Sequence, residues 1–378
     1  MKVGVIGPLW LNIPPVGYGG TELVVYNLVQ GLTKDGHDVT LFGPKTAQVD
    51  CKVIPTIDAP LREQNIPWTD MLNTLHHITE AFDRAGQFDI LHMHLNKSQD
   101  YLALPLALHS KTPVVFTFHF KLPTLQDNPL RYAILTKYNK FPYTSISNSQ
   151  RGKMPLNFIA TVYNSLNIAE FPLTEKPEDY FIWLGKVNPL KGTKEAILAA
   201  KKAGVKLKVL GAIDEGVPAM KDYYYNEIKP LIDGTQITWY GTVTTQEKAK
   251  LLGGAKAFLN PILWEEPFGL VMAEAQATGT PVISFNRGAA PEVIVNGKTG
   301  FLINTLDEMV EKMKVIDTID RKTCRANIVD TFSVEAMATN YEKAYEATIA
   351  RWEEYVEEQK MEIEEAQGSQ RRRENLKF

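Results

Sequence analysis

Two glutamates and the residues between them form the segment of this 378-residue chain that is best suited to chemistry. Residues 265–275 read EEPFGLVMAEA, so Glu266 and Glu274 are eight residues apart. Pro267 and Gly269 predict a turn before a helix that begins near Leu270, which places one carboxylate before the helix and the other on its second turn. The first N–H groups of such a helix lack intrahelical partners and suit a diphosphate or sugar oxygens. The alternative, a solvated helix face, fits poorly because the flanking residues are apolar.

A second candidate phosphate site is the glycine turn at 17–22, which follows the first predicted strand and leads into an apolar helix. Glycines there allow the backbone to approach an anion, although a plain tight turn has the same composition. The dinucleotide pattern is not supported, because Glu22 stands where its third glycine is needed. A Walker P-loop is not supported either. Residues 297–299 (GKT) mimic its end, but Glu292 replaces the required earlier glycine.

The histidines and serines give little support to hydrolase or metal chemistry. The sequence contains neither G-x-S-x-G nor HExxH. His92 and His94 share one side of a predicted strand without further metal ligands near them, so capping at a strand end is the favoured interpretation. His119 follows the carboxyl end of another predicted strand, where open α/β sheets place ligands.

The composition indicates a globular protein from a reducing compartment. Hydrophobic residues make up 44% and charged residues 22%, which excludes disorder and coiled coil for the whole chain. A net charge of −3 argues against a dedicated nucleic-acid binder, and Cys51 and Cys324 form no CxxC pair. No apolar run is long enough for a signal peptide or a membrane span. We expect a cytoplasmic protein, at most peripheral at the inner face of the membrane.

The remaining sequence predicts the elements that position these residues. Short β-branched runs alternate with helical patterns, which predicts parallel sheets covered on both sides by helices. Ten strands favour two doubly wound α/β domains, at 1–168 and 169–333, followed by a C-terminal helix and charged tail at 334–378. A helix is expected at 71–85, with Leu72, Leu75, Ile78 and Phe82 on one face. The predicted strands are 2–7, 38–42, 89–93, 114–117, 158–163, 181–185, 206–211, 237–240, 257–259 and 281–285.

Glu266 and Glu274 form the pattern E-x7-E, and further motifs accompany this segment. They are the glycine turn at 19–22 (GGTE), residues 183–192 (WLGKVNPLKG), 279–283 (GTPVI), 288–292 (GAAPE), and Phe332-Ser333 before the closing helix. With them, nearly the whole chain resembles the retaining glycosyltransferases of family 4, which have the GT-B fold. The E-x7-E block is the specific part of the resemblance. Lys186 stands where the family most often has arginine, whose forked guanidinium binds phosphate through two bonds.

The resemblance implies roles for individual residues. Glu266 would hold hydroxyls of the transferred sugar, and Glu274 would bind the ribose hydroxyls of the nucleotide. Lys191 and Lys186 would neutralise the diphosphate as it leaves. The catalytic residues implied in this way are His119, Lys191 and Glu266. The other implied donor contacts are the backbone amides of Phe268, Gly269, Leu270 and Val271, the glycines Gly19 and Gly20 at the donor phosphates, and His119 beside the donor sugar.

The function expected from this resemblance is transfer of a hexose from a nucleotide diphosphate sugar, with retention at the anomeric carbon. We expect a UDP- or GDP-sugar on the second domain, an unidentified acceptor on the first, and chemistry in the cleft between them. No metal or other cofactor is expected, because no acidic D-x-D cluster accompanies the site and a basic pair can neutralise the diphosphate. A GT-B sugar phosphorylase, a nucleotide-sugar epimerase and a non-catalytic nucleotide-sugar-binding subunit remain alternatives.

Charge is distributed unevenly along the chain. Residues 101–168 contain seven Lys and Arg residues against one acid, Asp127, whereas residues 342–365 contain nine glutamates against three basic residues. In the resembling family the C-terminal helix crosses back to the first domain. We therefore expect solvated ion pairs between the two segments, each worth under about 1 kcal/mol. The alternative is a weak contact of 101–168 with an anionic membrane surface or a phosphorylated acceptor.

Overall fold

The computed structural model describes residues 1–17 and 19–375, which form two compact units. Unit 1 comprises Met1–Val162 together with the C-terminal segment from Met337, and unit 2 comprises Tyr163–Ala336. Tyr18 of the glycine turn and residues 376–378 of the predicted tail lie outside the described residues. Each unit is built on a parallel sheet, which confirms the predicted fold class of two doubly wound α/β domains.

Unit 1 contains a seven-stranded sheet. Its elements in chain order are β1 (Lys2–Ile6), α1 (Gly20–Lys34), β2 (Asp38–Pro44), β3 (Lys52–Ile57), α2 (Met71–Asp83), β4 (Ile90–Leu95), α3 (Ala103–Ala107), β5 (Val114–Phe118), α4 (Pro129–Lys137), β6 (Tyr143–Ser145), α5 (Asn148–Arg151) and β7 (Phe158–Thr161). The strand order is β3-β2-β1-β4-β5-β6-β7. Aromatic side chains from the later strands, including Phe116, Phe118 and Tyr143, are fully buried in its core.

Unit 2 contains a six-stranded sheet in the order β10-β9-β8-β11-β12-β13. Its elements are β8 (Phe181–Leu184), α6 (Thr193–Ala203), β9 (Leu207–Leu210), α7 (Pro218–Tyr223), β10 (Ile237–Gly241), α8 (Thr245–Gly254), β11 (Phe258–Asn260), α9 (Leu270–Ala277), β12 (Val282–Phe285), α10 (Ala290–Val293), β13 (Gly300–Ile303), α11 (Leu306–Lys314) and α12 (Arg321–Phe332). A last helix, α13 (Val334–Asn375), departs from helical backbone angles at Arg351.

Both sheets contain one topological switch point. In unit 1 the chain lays down β1, β2 and β3 towards one edge and then places β4 on the other side of β1. In unit 2 the same reversal sets β11 against β8. Connections that leave neighbouring strands in opposite directions open a crevice at the strands' carboxyl ends. The loops after β1, β4, β8 and β11 are therefore the ones placed to bind ligands.

Three strands were not predicted, namely β3, β6 and β13. Strand β3 contains Pro55 and lies at the edge of its sheet, where a missing N–H is tolerated. Strand β6 is only three residues long. Strand β13 begins at Gly300, whose φ of 159° lies at the margin of the region that favours glycine. None of the three presents the long β-branched run on which strand prediction depends.

The predicted face of α2 is correct at Ile78 and Phe82, which lie in or against the core, and wrong at Leu72 and Leu75, which are exposed. The buried side chains of this helix are Thr74, His77, Ile78 and Ala81, and Leu72 is 76% exposed. His77 can be buried because both ring nitrogens are bonded. The Thr56 hydroxyl donates to Nδ1 at 2.7 Å, and Nε2–H donates to the Gly7 carbonyl at 2.9 Å. The spacing of apolar residues does not reveal a buried polar side chain whose hydrogen bonds are all made. The predicted face therefore omitted His77.

The C-terminal helix packs into unit 1, as the predicted fold class requires. The indole ring of Trp352 is buried and stacks on Phe141 with ring centroids 5.8 Å apart. Its N–H donates to the carbonyl of Ser110 at 3.0 Å. The expected pairing of basic and acidic segments is seen between Lys140 and Glu362, whose charged atoms are 3.6 Å apart. The ring buries far more apolar surface than this exposed ion pair, so packing dominates the attachment.

Replacing Trp352 should therefore destabilise unit 1 strongly. We expect Trp352→Ala to lower the free energy of unfolding by about 3–5 kcal/mol, because it removes a large buried ring and leaves a cavity. Urea denaturation followed by circular dichroism measures the change. The control is Glu353→Ala at the neighbouring exposed position, which should stay within about 0.5 kcal/mol of wild type. Equal stability of both variants would show that α13 is only loosely attached.

The buried histidines of unit 1 should make its stability depend on acid. Burial lowers the pKa of His77 to about 4 and that of His119 to about 3, and it holds the pKa values of His92 and His94 well below the ordinary range. Between those values and the unfolded pKa near 6.5, the unfolded chain binds more protons than the folded chain. Stability therefore falls as the pH falls below about 6.5, by up to about 1.4 kcal/mol per pH unit for each histidine.

The histidine contribution can be isolated with a pair of variants. Burial raises the pKa of Asp100 to about 6, which partly offsets the histidines, so differences between variants are more informative than the total slope. In urea titrations from pH 7 to pH 5, His77→Gln should reduce the slope of the free energy of unfolding against pH. The reduction should correspond to the uptake of about one proton. His109→Gln, at an exposed position, should leave it unchanged. Parallel curves for His77→Gln and wild type would contradict this account.

Candidate active site

Loops at the unit 2 switch point bring Lys191 and Glu266 together. Lys191 follows β8 and Glu266 follows β11, and their side chains form an ion pair. The indole N–H of Trp264 donates to Glu266 Oε2 at 3.0 Å, and the Lys191 ammonium lies 5.0 Å from the centre of the Trp264 ring. A cation and an N–H donor on one oxygen fix the orientation of this carboxylate.

Two glycines shape the backbone around Glu266. Gly269 (φ 85°) precedes α9, and no side chain caps the helix there, so its first N–H groups remain available to a ligand. Gly288 (φ 53°) lies against the backbone of Glu266, where an added Cβ would be 2.4 Å from both its N and its O. The N–H of Ala289 donates to the Glu266 carbonyl at 2.9 Å. Any side chain at position 288 would displace Glu266.

The predicted backbone contacts lie at the start of α9. The Phe268 side chain is buried and packs edge-on against Phe332, with ring centroids 5.6 Å apart. Only the backbone of Phe268 can therefore face a ligand. Gly269, Leu270 and Val271 follow directly as the N-cap and first helical residues. An uncapped helix N-terminus attracts anions through its N–H groups and its dipole.

Glu274 lies one turn further along α9 and has a partner that sequence reasoning missed. Its side chain is only 6% exposed, and Lys248 Nζ approaches its Oε1 to 2.6 Å. Lys248 belongs to α8, and nothing in its local sequence marks it as a site residue. Lys248 is 26 residues from Glu274 in the sequence, and only the folded structure brings the two side chains together.

Lys186 lies after β8, as predicted, and also pairs with a carboxylate. Its Nζ is 2.5 Å from Asp214 Oδ2, with the two side chains 40% and 30% exposed. Asp214 belongs to the loop after β9 and was not predicted. Lys191 and Lys248 therefore place two ammonium groups at the carboxylates of α9 and the loop before it, and Lys186 adds a third in the loop after β8.

The predicted glycines of unit 1 lie at the start of α1. Gly19 is its N-cap and has no side-chain cap, and Gly20 is the first helical residue. An added Cβ at Gly19 would lie 2.5 Å from Pro15 Cβ, so the turn is closely packed. The Thr21 hydroxyl donates to Asn96 Oδ1 at 2.9 Å, which ties the helix start to the loop after β4. Burial raises the pKa of the Glu22 carboxyl.

His119 follows β5 and is held by another histidine. Its Nε2 lies 2.8 Å from Nδ1 of His94, and the two rings stack with centroids 5.0 Å apart. The predicted strand-end capping by His92 and His94 is wrong, because both lie inside β4 and bond to side chains. His92 bonds to Tyr345 and Thr117. With its pKa lowered to about 3 by burial, His119 is neutral at physiological pH.

Two further features concern the described residues, a metal site and a membrane span. In this part of the chain, no three side chains of His, Cys, Asp or Glu are grouped to hold a metal ion. Within the same residues, no helix combines the length and apolar character needed to cross a membrane.

Two sequence models of known families match most of this chain. The sequence model of Glycosyltransferase Family 4 matches residues 18–152, and that of Glycosyl transferases group 1 matches residues 166–328. A phosphatidyl-myo-inositol mannosyltransferase of Mycolicibacterium smegmatis is 24% identical over 352 residues, which cover 87% of each chain.

Solved structures share the fold at low sequence identity. Sucrose-phosphate synthase from Thermosynechococcus elongatus has a TM-score of 0.74 at 18% identity, over 93% of this chain and 99% of that one. Anabaena HepE, solved in complex with UDP-glucose, has a TM-score of 0.68 at 16% identity, over 92% and 100%. With both sequence models matched in their expected order and the fold shared, the chain belongs to glycosyltransferase family 4 and is a glycosyltransferase with the GT-B fold.

Proposed function

We propose that this glycosyltransferase moves a hexose from a nucleotide diphosphate sugar to an acceptor, with retention at the anomeric carbon and without a metal ion. The observation that carries the proposal is the start of α9. There, uncapped N–H groups lie between Glu266 and Glu274, and each carboxylate is paired with a lysine. This arrangement offers donors for a diphosphate and oriented acceptors for hydroxyl groups on either side of it.

Unit 2 is assigned to the donor. Glu266 accepts hydrogen bonds from hydroxyls of the transferred sugar, and Glu274 accepts them from the ribose. The diphosphate lies on the N–H groups of the Phe268–Val271 backbone. Both glutamates are held by lysines, so neither carboxylate needs to reorganise when a hydroxyl group arrives.

Charge on the departing diphosphate is stabilised by Lys186 and Lys191. As the bond from the anomeric carbon to the diphosphate oxygen breaks, negative charge accumulates on that oxygen. An ammonium group has three N–H donors, so each lysine can contact a phosphate and keep its carboxylate partner. The dipole of α9 adds to the same effect. These groups supply electrostatic stabilisation of the kind that a divalent ion gives elsewhere.

Unit 1 is assigned to the acceptor, with additional contacts to the donor. Gly19 and Gly20 offer backbone N–H groups to the donor phosphates at the start of α1. His119 is proposed to contact the donor sugar as a neutral imidazole whose orientation is set by His94. The acceptor itself is not identified by these contacts.

The donor is proposed to be a UDP- or GDP-sugar. HepE is solved with UDP-glucose, and the Mycolicibacterium smegmatis relative is named a mannosyltransferase. A weak contact of residues 101–168 with an anionic membrane surface stays a prediction. Within that stretch, Lys121 pairs with Asp127 and Lys140 pairs with Glu362.

The proposed activity is tested by incubating the chain with UDP-, GDP- and ADP-sugars in the presence and absence of EDTA. We expect slow release of a nucleoside diphosphate from one of them, at the same rate with EDTA. No release from any nucleotide sugar, together with formation of a sugar 1-phosphate from a glycan and inorganic phosphate, would favour a sugar phosphorylase. Binding of the nucleotide sugar without any release would favour a non-catalytic subunit.

Glu274 should act through nucleotide affinity. A hydrogen bond to a charged group is worth about 1.5–3 kcal/mol, so Glu274→Ala should weaken binding of the preferred nucleoside diphosphate roughly 10- to 150-fold. Isothermal titration calorimetry measures this change. Glu311→Ala, at an exposed position of α11, is the control and should bind like wild type. Unchanged affinity in Glu274→Ala would mean that this carboxylate does not contact the nucleotide.

Lys191 should act through turnover. A charge preorganised at a leaving group is worth about 3–4 kcal/mol, so Lys191→Ala should lower kcat by roughly 100- to 1000-fold. Lys186→Arg should be tolerated, because arginine keeps the charge and adds a fork suited to phosphate. Lys202→Ala is the exposed control. Turnover of Lys191→Ala within a few-fold of wild type would remove this lysine from the mechanism.

A further inference from the structure

The ion pair between Lys248 and Glu274 is unusual for its burial. Its side chains are 18% and 6% exposed, whereas those of the surface pair Lys202 and Asp307 are 60% and 77% exposed. The Lys248 ammonium also lies 5.4 Å from the centre of the Phe171 ring. Burying two charges costs solvation that their attraction barely repays, so such a pair is a poor device for stability alone.

The position of Lys248 is fixed by the start of its own helix. Thr244 and Glu247 form a capping box at the N-terminus of α8, with backbone-to-side-chain bonds of 3.2 and 3.0 Å. Lys248 lies in the first turn after this box, and its side chain crosses to α9. The lysine therefore reaches Glu274 from a defined backbone position.

The contact determines what Glu274 can offer a ligand. The ammonium makes a charge-assisted contact of 2.6 Å to Oε1, which fixes the orientation of the carboxylate. A carboxylate has about four lone-pair sites, and Lys248 occupies one of them on Oε1. The remaining sites can accept from two neighbouring hydroxyl groups, such as those of a ribose.

We propose that Lys248 is a positioning residue for nucleotide binding, which holds the Glu274 carboxylate oriented to accept hydrogen bonds from the ribose hydroxyls. This inference rests on the proposed function, because it takes the ligand to be a nucleoside diphosphate. It adds to that function a residue of α8 and a reason for discrimination between ribose and deoxyribose.

The test compares affinities for a nucleoside diphosphate and its 2′-deoxy analogue. UDP, GDP and ADP are first screened by calorimetry, and the tightest of them is paired with its 2′-deoxy form. Wild type should prefer the ribose form by roughly 10- to 150-fold, the range of a hydrogen bond to a charged group. In Lys248→Met, Glu274 loses the contact that orients it, and the preference should fall to roughly 2- to 10-fold, the range of an ordinary hydrogen bond.

Three further variants make the result specific. Lys248→Arg keeps the cation and should keep the preference within about threefold of wild type. The double variant Lys248→Met with Glu274→Gln should show the same ratio as Lys248→Met alone, because the two residues act as one unit. Lys250→Met, on the exposed side of the same helix, is the matched control and should behave as wild type. Lys248→Gln replaces Lys248→Met if the latter fails to fold.

The ratio separates positioning from a merely structural role. A lower melting temperature with an unchanged ribose-to-deoxyribose ratio in Lys248→Met would overturn the proposal, and so would a wild type without ribose preference. If wild type binds none of the three nucleoside diphosphates, the proposed function itself fails. Those outcomes are distinguishable, because the first two require measurable binding by wild type.

Discussion

The site in unit 2 depends on the pairing of each of two largely buried carboxylates with a cation. Glu266 and Glu274 lie on either side of the start of α9, with Lys191 on one and Lys248 on the other. Each contact holds one carboxylate oxygen in place, so the remaining lone pairs keep a fixed direction towards a ligand. Lys191 lies in the loop after β8 and Lys248 lies in α8, and the sheet must bring both to the same place.

The sheet topology supplies that placement. Strand β11 returns to the far side of β8, so the loops after both strands leave from one crevice. Gly288 then lets the loop after β12 lie directly on the backbone of Glu266, where no larger residue fits. The same reversal in unit 1 sets the start of α1 beside the loop after β4, and the two are joined by Thr21 and Asn96. The same reversal of strand order therefore positions the candidate ligand-binding loops in both units.

Local signals made part of this structure predictable. The E-x7-E segment lies within eleven residues, so its turn, its helix and its two carboxylates can be recognised without tertiary information. Alternation of apolar runs and helical patterns was sufficient for two parallel-sheet units. It was not sufficient for β3, β6 and β13, which are interrupted by proline, very short, or begun by glycine. The spacing of apolar residues also misplaced part of the buried face of α2, where His77 is buried because its two hydrogen bonds are made.

The partners of the predicted residues could not be derived from the sequence, because they come from distant segments. Lys248 is 26 residues from Glu274, and Lys191 is 75 residues from Glu266. Only the folded sheet decides which lysine meets which carboxylate. The contact between His94 and His119 could not be predicted either, because the two rings belong to different segments that meet only in the folded sheet.

The central claim is that the start of α9 binds the nucleotide of a sugar donor. A crystal structure of the chain with bound UDP or GDP tests it most directly. The account predicts diphosphate oxygens within about 2.7–3.2 Å of the N–H groups at Leu270 and Val271, and ribose hydroxyls on Glu274. Nucleotide bound away from α9, or ribose that leaves Glu274 in contact with Lys248 alone, would contradict it.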